Sequence, residues 1–296
     1  MLTVSIVIPT MNRLDSLKRT LSKIALSKVK PLEVVVVDQS TEYSEISETK
    51  EFLKEQEINC IYIHNNEPSL TKARNTGMRY VHGDLVIQMD DDVDIKHDTL
   101  STILDIFTDG NIAMLAGVNE GFNSKSRSLM GFLFWKKNWK KRNIGHVVKS
   151  VYGRFPEVIA EITPTEWAMG FFSVYRVDLI NKWKLSWDEH LASYAYAEDL
   201  DFSYSYYKKA KSEGLKCIMS NRVIVKHNVT TEWRIPSRKH TYMIVNNRRY
   251  LRKKHFGDSL ISKFAVCWAD YGEYIRRLLN REAAHDWKDA MKGKTL

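Results

Sequence analysis

Leu85-Val86-Ile87-Gln88-Met89 runs straight into Asp90-Asp91-Asp92. A short apolar run that ends on carboxylates predicts a buried strand, and the carboxyl end of such a strand is where open α/β sheets hold ligands. Three adjacent acids repel one another unless positive charge sits among them. Hard oxygen ligands of this kind suit Mg²⁺ or Mn²⁺. Taken alone, the segment also fits a solvated acidic turn, so its neighbours decide.

Upstream, Val4-Ser5-Ile6-Val7-Ile8-Pro9-Thr10 predicts another buried strand, and residues from Asp15 to Ala25 carry apolar side chains at helical spacing. Val34-Val35-Val36-Val37-Asp38 predicts a second strand ending on an acid, and Cys60-Ile61-Tyr62-Ile63 a third. A helix begins near Ser69, with Ala73, Met78 and Val81 near one face. Alternating strands and helices over the first hundred residues predict βαβ units and a parallel sheet, with Thr10, Asp38 and Asp90 all at strand carboxyl ends. No G-x-G-x-x-G or Walker sequence opens a helix, which argues against a dinucleotide fold and a P-loop.

Downstream, residues from Asn119 to Pro164 are irregular. A strand is predicted over Trp167 to Tyr175 and a helix over Glu198 to Glu213, closed by Gly214. Cys217 to Met219 and Val223 to Val225 predict two further strands, the last leading to His227. Beyond about Glu232 the chain turns basic and aromatic and reads as helices, with no Gly/Ser linker, repeat or low-complexity tract. The expected division is therefore a first domain over 1–232 and a basic helical extension over 233–296.

The 296 residues suffice for one large core and an appendage. Cys60, Cys217 and Cys267 are few, odd in number and far apart, so neither a disulfide framework nor a zinc knuckle is indicated, and a reducing, cytoplasmic setting fits. The N-terminus enters a strand pattern at once without the organisation of a signal peptide, and no apolar run is long enough to cross a bilayer. The formal charge of +9 gathers in Lys136-Lys137-Asn138-Trp139-Lys140-Lys141-Arg142 and in Arg248-Arg249-Tyr250-Leu251-Arg252-Lys253-Lys254-His255. Trp135, Trp139 and Tyr250 interleave these clusters, a composition that fits interfacial contact with anionic lipid as well as a solvated charged face.

Val4 to Arg13, Val35 to Asp38, Lys72-Ala73-Arg74-Asn75-Thr76-Gly77 and Asp90-Asp91-Asp92 together resemble the family 2 glycosyltransferases of the GT-A fold. Trp187-Asp188-Glu189-His190-Leu191, Ala197-Glu198-Asp199-Leu200-Asp201 and Val223-Ile224-Val225-Lys226-His227 continue the resemblance in the family's order, over roughly four fifths of the chain. It implies an α/β, Rossmann-like, mixed and mostly parallel sheet flanked by helices, here with a basic helical C-terminal extension. It also implies transfer of a sugar from a nucleotide diphosphate donor, a UDP-sugar favoured over a dTDP-sugar, to a glycan or lipid-linked saccharide in surface polysaccharide assembly. Such an acceptor would bring the chain to the inner face of the plasma membrane as a peripheral protein.

By the same resemblance Pro9, Thr10 and Asp38 hold the nucleobase, and Arg74 faces the nucleotide pocket. Asp90 meets the ribose and the metal, Asp91 lies beside the ribose or points away, and Asp92 and His227 complete the shell of a Mn²⁺ or Mg²⁺ ion. Asp38 is followed by Gln39-Ser40 where the family more often has a second acid or Asn, which leaves the nucleobase open. Inverting transfer needs a base for the acceptor hydroxyl's proton; Asp199 matches it, with Glu198 as the competitor. A helix start would favour the charged form of Asp199 and lower its pKa. Trp167, Gly170 and Trp187 fall where the family shapes its sugar and acceptor pocket.

Three other readings compete. A nucleotidyltransferase would need a glycine-rich phosphate loop that the first strand-helix turn lacks. A nucleic-acid-binding protein would explain the basic clusters but leave the acidic triplet repelling phosphate. An inactive glycan- or nucleotide-binding module on the same fold would have no use for the acids, His227 and the Glu198-Asp199 pair together. The C-terminal helices offer a place for self-association.

Overall fold

The computed structural model describes residues 2–122, 129–191, 195–228 and 237–293. The chain opens with β1 (Val4–Thr10), α1 (Leu14–Ala25), β2 (Glu33–Asp38), α2 (Tyr43–Lys54), β3 (Cys60–His64) and α3 (Leu70–Met78). It continues through β4 (Leu85–Met89), β5 (Val93–Asp94), α4 (Thr99–Ile106), β6 (Ile112–Asn119), α5 (Leu129–Leu133), β7 (His146–Val148), β8 (Tyr152–Arg154) and β9 (Thr163–Pro164). The last elements are β10 (Phe172–Arg176), α6 (Val177–Trp183), α7 (Glu198–Ser212), β11 (Lys216–His227), α8 (Ser237–Phe256), α9 (Leu260–Arg277) and α10 (Arg281–Met291).

The chain divides into two compact units. The first holds residues 1–122, 159–194 and 198–233, and the second holds 123–158, 195–197 and 234–296. In this division the described residues 129–158 group with the C-terminal helices.

In the first unit nine strands form one sheet in the order β3-β2-β1-β4-β10-β6-β11-β5, with β9 beside β11. β1 pairs in parallel with β2 and β4, β2 with β3, and β6 with β11. β10 runs antiparallel between β4 and β6, and β5 and β9 run antiparallel to β11. The sheet is thus mixed and mostly parallel, as expected. Val34 to Val37 are wholly buried, which is why β2 reads as an unbroken apolar run rather than an alternating one. Leu17, Leu21 and Ile24 of α1 join Ile6, Ile8, Val34, Val36, Leu85 and Ile87 in the same core. On α3, a Cβ at Gly77 would stand 2.4 Å from Val7 Cγ1 and 3.3 Å from Val37 Cγ2, so only glycine lets this helix lie so close to β1 and β2.

Two predicted elements differ in extent. The strand expected over Trp167 to Tyr175 is only β10, because side chains take the backbone before it. Trp167 N donates to Thr165 Oγ1 at 3.3 Å and Gly170 N to Asp199 Oδ2 at 2.9 Å, so these residues leave the ladder. The strands expected at Cys217–Met219 and Val223–Val225 are one strand, β11, with its register to β6 broken between Met219 and Ile224. Arg222 N turns to Ser220 Oγ at 3.1 Å inside that break.

In the second unit β7 and β8 form a hairpin, and Tyr242, Val245, Trp287 and Ala290 of α8 and α10 share a small core. Arg248 is wholly buried: it pairs with Asp270, its Nε donates to Ser150 O at 3.1 Å, and its guanidinium lies 4.0 Å from the centre of the Tyr152 ring. Lys136 is also buried, paired with Glu273. Arg252 is buried too, donating to Gly257 O at 2.8 Å and Ser262 Oγ at 3.1 Å, so these three members of the basic clusters are structural cations rather than surface charge. Trp135 and Tyr250 are exposed; the Trp139 side chain lies outside the described residues. No described helix is long and apolar enough to cross a membrane.

Candidate active site

The carboxyl ends of β1, β4 and β11 bring the acidic triplet and His227 together. His227 pairs in register with Val93, and Asn228 N donates to Asp92 O at 2.9 Å, so the end of β11 is stitched to the triplet itself. His227 Nε2 lies 3.0 Å from Asp92 Oδ1, and its ring stacks on Phe171 at 5.0 Å. Asp90, Asp92 and His227 each offer a donor atom, all within 4.8 Å of one another. Two carboxylates and an imidazole in that compass fit a divalent cation such as Mn²⁺ or Mg²⁺.

Asp91 is not a member of this group. It is buried, accepts from Thr10 Oγ1 at 2.6 Å and lies 3.1 Å from Arg13 Nη1. Arg13 Nη2 reaches Asp92 Oδ2 at 2.6 Å, so one guanidinium spans two of the three acids. Arg13 heads α1, and the sequence motif implies no role for it. Its only signal there is its place after Asn12 at the end of the first strand-turn.

Arg74 supplies a second cation. Arg74, buried on α3, reaches Asp90 Oδ1 at 3.2 Å, Gly170 O at 3.1 Å and Glu198 Oε1 at 3.4 Å through the same nitrogen. Glu198 Oε2 is buried with no partner. Asp199 accepts from Gly170 N at 2.9 Å and from Leu200 N at 2.7 Å. A Cβ on Gly170 would stand 3.0 Å from Arg74 Nη2, 3.1 Å from Glu198 Oε1 and 3.3 Å from Asp199 Cβ, so the absence of a side chain here lets all three approach one backbone.

These contacts set the protonation of the acids. Burial raises the Glu198 pKa to about 8, with Arg74 opposing and Asp199 adding to the rise. Burial likewise raises Asp91 to about 7 against Arg13 and the Thr10 hydroxyl. For Asp92 burial acts upward, but the hydrogen bond and charge of His227, with Arg13, hold it below the usual value. His227 rises in turn, the pull of Asp92 outweighing burial. Asp199, expected to be lowered at a helix start, is raised: burial outweighs the backbone donors of Gly170 and Leu200.

Thr10, Arg74, Asp90, Asp91, Asp92, Gly170, Glu198, Asp199 and His227 thus form one connected site. Asp38 is wholly buried; Oδ1 accepts from Ser40 N at 2.8 Å and Ser40 Oγ at 2.5 Å, and Oδ2 from Tyr62 OH at 3.0 Å. Its carboxylate is engaged inside the fold in this conformation. Pro9 is a buried-strand residue opposite Val37. Trp167 and Trp187 are buried: the Trp187 ring stacks on Phe202 at 3.7 Å, and Asn75 clamps that segment through Trp187 N at 2.8 Å and Trp187 O at 2.9 Å.

The glycosyl transferase family 2 model matches residues 5–182, more than half of the chain. A stretch of 100 residues is 29% identical to Glycosyltransferase GlyA of Streptococcus pneumoniae serotype 4, covering 34% of this chain and only 14% of that protein. Among solved structures, the mannosyltransferase PcManGT from Pyrobaculum calidifontis in complex with GDP-Man and Mn²⁺ aligns over 100% of this chain and 76% of its own, with a TM-score of 0.55 at 18% identity. TarS 1-349 of S. aureus in complex with UDP-GlcNAc aligns over 98% and 81% with a TM-score of 0.55 at 15% identity. GalNAc-T7 with UDP, GalNAc and Mn²⁺ aligns over 96% and 58% with a TM-score of 0.61 at 14% identity. At such identities these likenesses concern the fold, which is GT-A. With the family model spanning the acidic triplet and most of the sheet, the chain belongs to glycosyl transferase family 2.

Proposed function

We propose that this glycosyltransferase moves a sugar, with inversion, from a nucleoside diphosphate donor to a glycan or lipid-linked saccharide in surface polysaccharide assembly. A UDP-sugar is the favoured donor, with a dTDP-sugar as the alternative. The observation that carries the reading is the convergence of Asp90, Asp92 and His227 in one site with Arg74, Glu198 and Asp199.

Asp90, Asp92 and His227 would hold a divalent cation, whose chemistry is to offset charge on the departing diphosphate. Asp199 takes the proton of the acceptor hydroxyl at a carboxylate oxygen. Its orientation is set by Gly170 N and Leu200 N, which leave each oxygen a further lone pair. Glu198, raised to about 8, carries its proton at neutral pH and is unfit for that role. It serves instead as the buried partner that positions Arg74 against Asp90. Arg13 keeps Asp91 and Asp92 apart in orientation, so that Asp92 faces His227.

Calorimetric titration of UDP, dTDP and GDP with Mn²⁺, and again with EDTA, tests the reading. Binding of one nucleotide that vanishes with EDTA, followed by metal-dependent hydrolysis of its sugar conjugate, is the expected result. Failure of all three to bind would overturn it.

A further inference from the structure

The outer face of α9 carries its large apolar side chains. Leu260 is 83% exposed, Ile261 57% and Phe264 52%, and Tyr271 and Leu278 continue the same stripe toward the C-terminus. The inner face is built from Ser262, Ala265, Val266, Ala269 and Gly272, all buried. Burial normally puts the bulk of an amphipathic helix inward; here the small residues face in and the bulk faces out. The rings are contiguous: Trp135 meets Phe264 at 5.4 Å, Phe264 stacks on Trp268 at 5.9 Å, and Trp268 stacks on Tyr271 at 5.9 Å. Trp268 also satisfies its one donor, Nε1 reaching Leu133 O at 2.7 Å, so its ring can lie against an apolar phase without an unmet hydrogen bond. A contiguous exposed apolar face of this kind marks a contact surface.

Charge identifies the partner. Segments 129–158 and 237–293 carry 20 Lys and Arg against 7 Asp and Glu, an excess larger than the +9 of the whole chain. On α9 itself the acids are Asp270, buried against Arg248, and Glu273, held by Lys136, Arg276 and Arg277. Lys263, 3.0 Å from Asp258, and Arg276, 2.8 Å from Glu273, flank the stripe and are exposed. Apposing two copies of this surface would bring two strongly positive units together, which like-charge repulsion disfavours. An anionic bilayer complements both features, taking the aromatic and aliphatic side chains at headgroup depth and the cations at the phosphates.

We infer that the outer face of α9, with Trp135, docks the protein on the surface of an anionic lipid bilayer. The face lies within one unit of the chain and does not depend on the catalytic reading, so its test requires no donor, metal or turnover.

The test is flotation of the full chain with vesicles of phosphatidylcholine alone and of phosphatidylcholine with about a quarter phosphatidylglycerol. The protein is expected to float with the anionic vesicles, less so at high salt, and Ile261→Glu/Phe264→Glu to lower partitioning by at least about tenfold. Both positions are exposed, and retained circular dichroism checks the variant's fold. Cys267, exposed on α9, gives a second readout: an environment-sensitive dye there, in a Cys60→Ser background, is expected to shift to the blue only with anionic vesicles. Absence of flotation, equal binding by the double variant, or an unshifted dye on bound protein would each overturn the inference. So would a dimer by light scattering that the double variant converts to a monomer, with no vesicle binding.

Discussion

Glu198→Gln freezes one buried acid in its neutral form, and the consequence for stability can be worked out. The folded-state value is about 8 against an ordinary 4.5, so the native state holds the proton more tightly than the unfolded chain. Stability from this group is whole below the unfolded value and falls as pH rises through the window between the two. At about 1.4 kcal/mol per pH unit the window sets a ceiling of about 5 kcal/mol. Because Asp199 is also raised and the two acids share one environment, a single substitution recovers less, about 2–4 kcal/mol. Arg74 is not orphaned by the change, since Asp90 stays 3.2 Å away and the amide oxygen of Gln can replace Glu198 Oε1. Urea denaturation of both proteins, followed by circular dichroism at several values from about pH 5 to 8.5, measures the difference directly. Variant minus wild type is expected to be near zero or slightly negative at the acid end and to grow steadily toward the alkaline end. A difference that does not change with pH would refute the assignment of a protonated, buried Glu198.

Asp199→Asn is expected to cut sugar transfer by at least about a hundredfold while nucleotide affinity stays unchanged, as measured by product formation beside calorimetry; unimpaired transfer would remove Asp199 from the role of base. Asp92→Asn and His227→Ala are each expected to abolish metal-dependent nucleotide binding, and EDTA to do the same to wild type, with binding followed by calorimetry. Gly170→Ala inserts a methyl 3.0 Å from Arg74 Nη2 and 3.1 Å from Glu198 Oε1. Its expected signature is a drop in kcat of about tenfold or more with a small change in Tm, because the displaced groups are a few tenths of an ångström out of place rather than unpacked.

Much of the first unit was legible because its strands are buried on both sides. Val4 to Thr10, Val34 to Asp38 and Leu85 to Met89 read as unbroken apolar runs, and α3 starts at its Ser69 cap. The acids at the ends of those runs marked the site directly. β6 carries no such mark: Ile112-Ala113-Met114-Leu115-Ala116-Gly117-Val118-Asn119 contains small residues and Gly117, which lies tight against Phe172, yet it sits deep in the sheet between β10 and β11. Helices α2 and α4 are likewise unread: α2 buries just Thr49 and Leu53 and so shows little apolar periodicity, and α4 is short. The burial of Trp187, Arg248 and Lys136 depends on partners far away in sequence, Phe202, Asp270 and Glu273, and no local pattern announces that. Composition could place positive charge in two clusters but not tell which cations turn inward.

The charge of the site explains why its acids divide as they do. Among the described residues, the cations paired with Asp90, Asp91, Asp92 and Glu198 are Arg13, Arg74 and His227, and Asp199 shares their environment. That shortfall cannot be spread evenly, because burial charges each group according to the partners it has. Glu198 has one shared guanidinium and a partnerless oxygen, and Asp91 has a hydroxyl and one arm of Arg13; these two rise to about 8 and about 7 and take up protons first. Asp92 has both an imidazole and the other arm of Arg13, and it falls. Asp199 is raised by burial, but two backbone donors oppose the rise, a support that Glu198 lacks. Glu198 and Asp91, the acids that take up protons first, thus lie outside the group proposed to hold the cation. Of the acids proposed to hold a cation, Asp92 falls while Asp90 is raised by burial against the pull of Arg74, and the acid proposed to take a proton has fixed donors favouring its ionised form. Moving a single donor, as Gly170→Ala would, should therefore disturb the division of roles before it disturbs the fold.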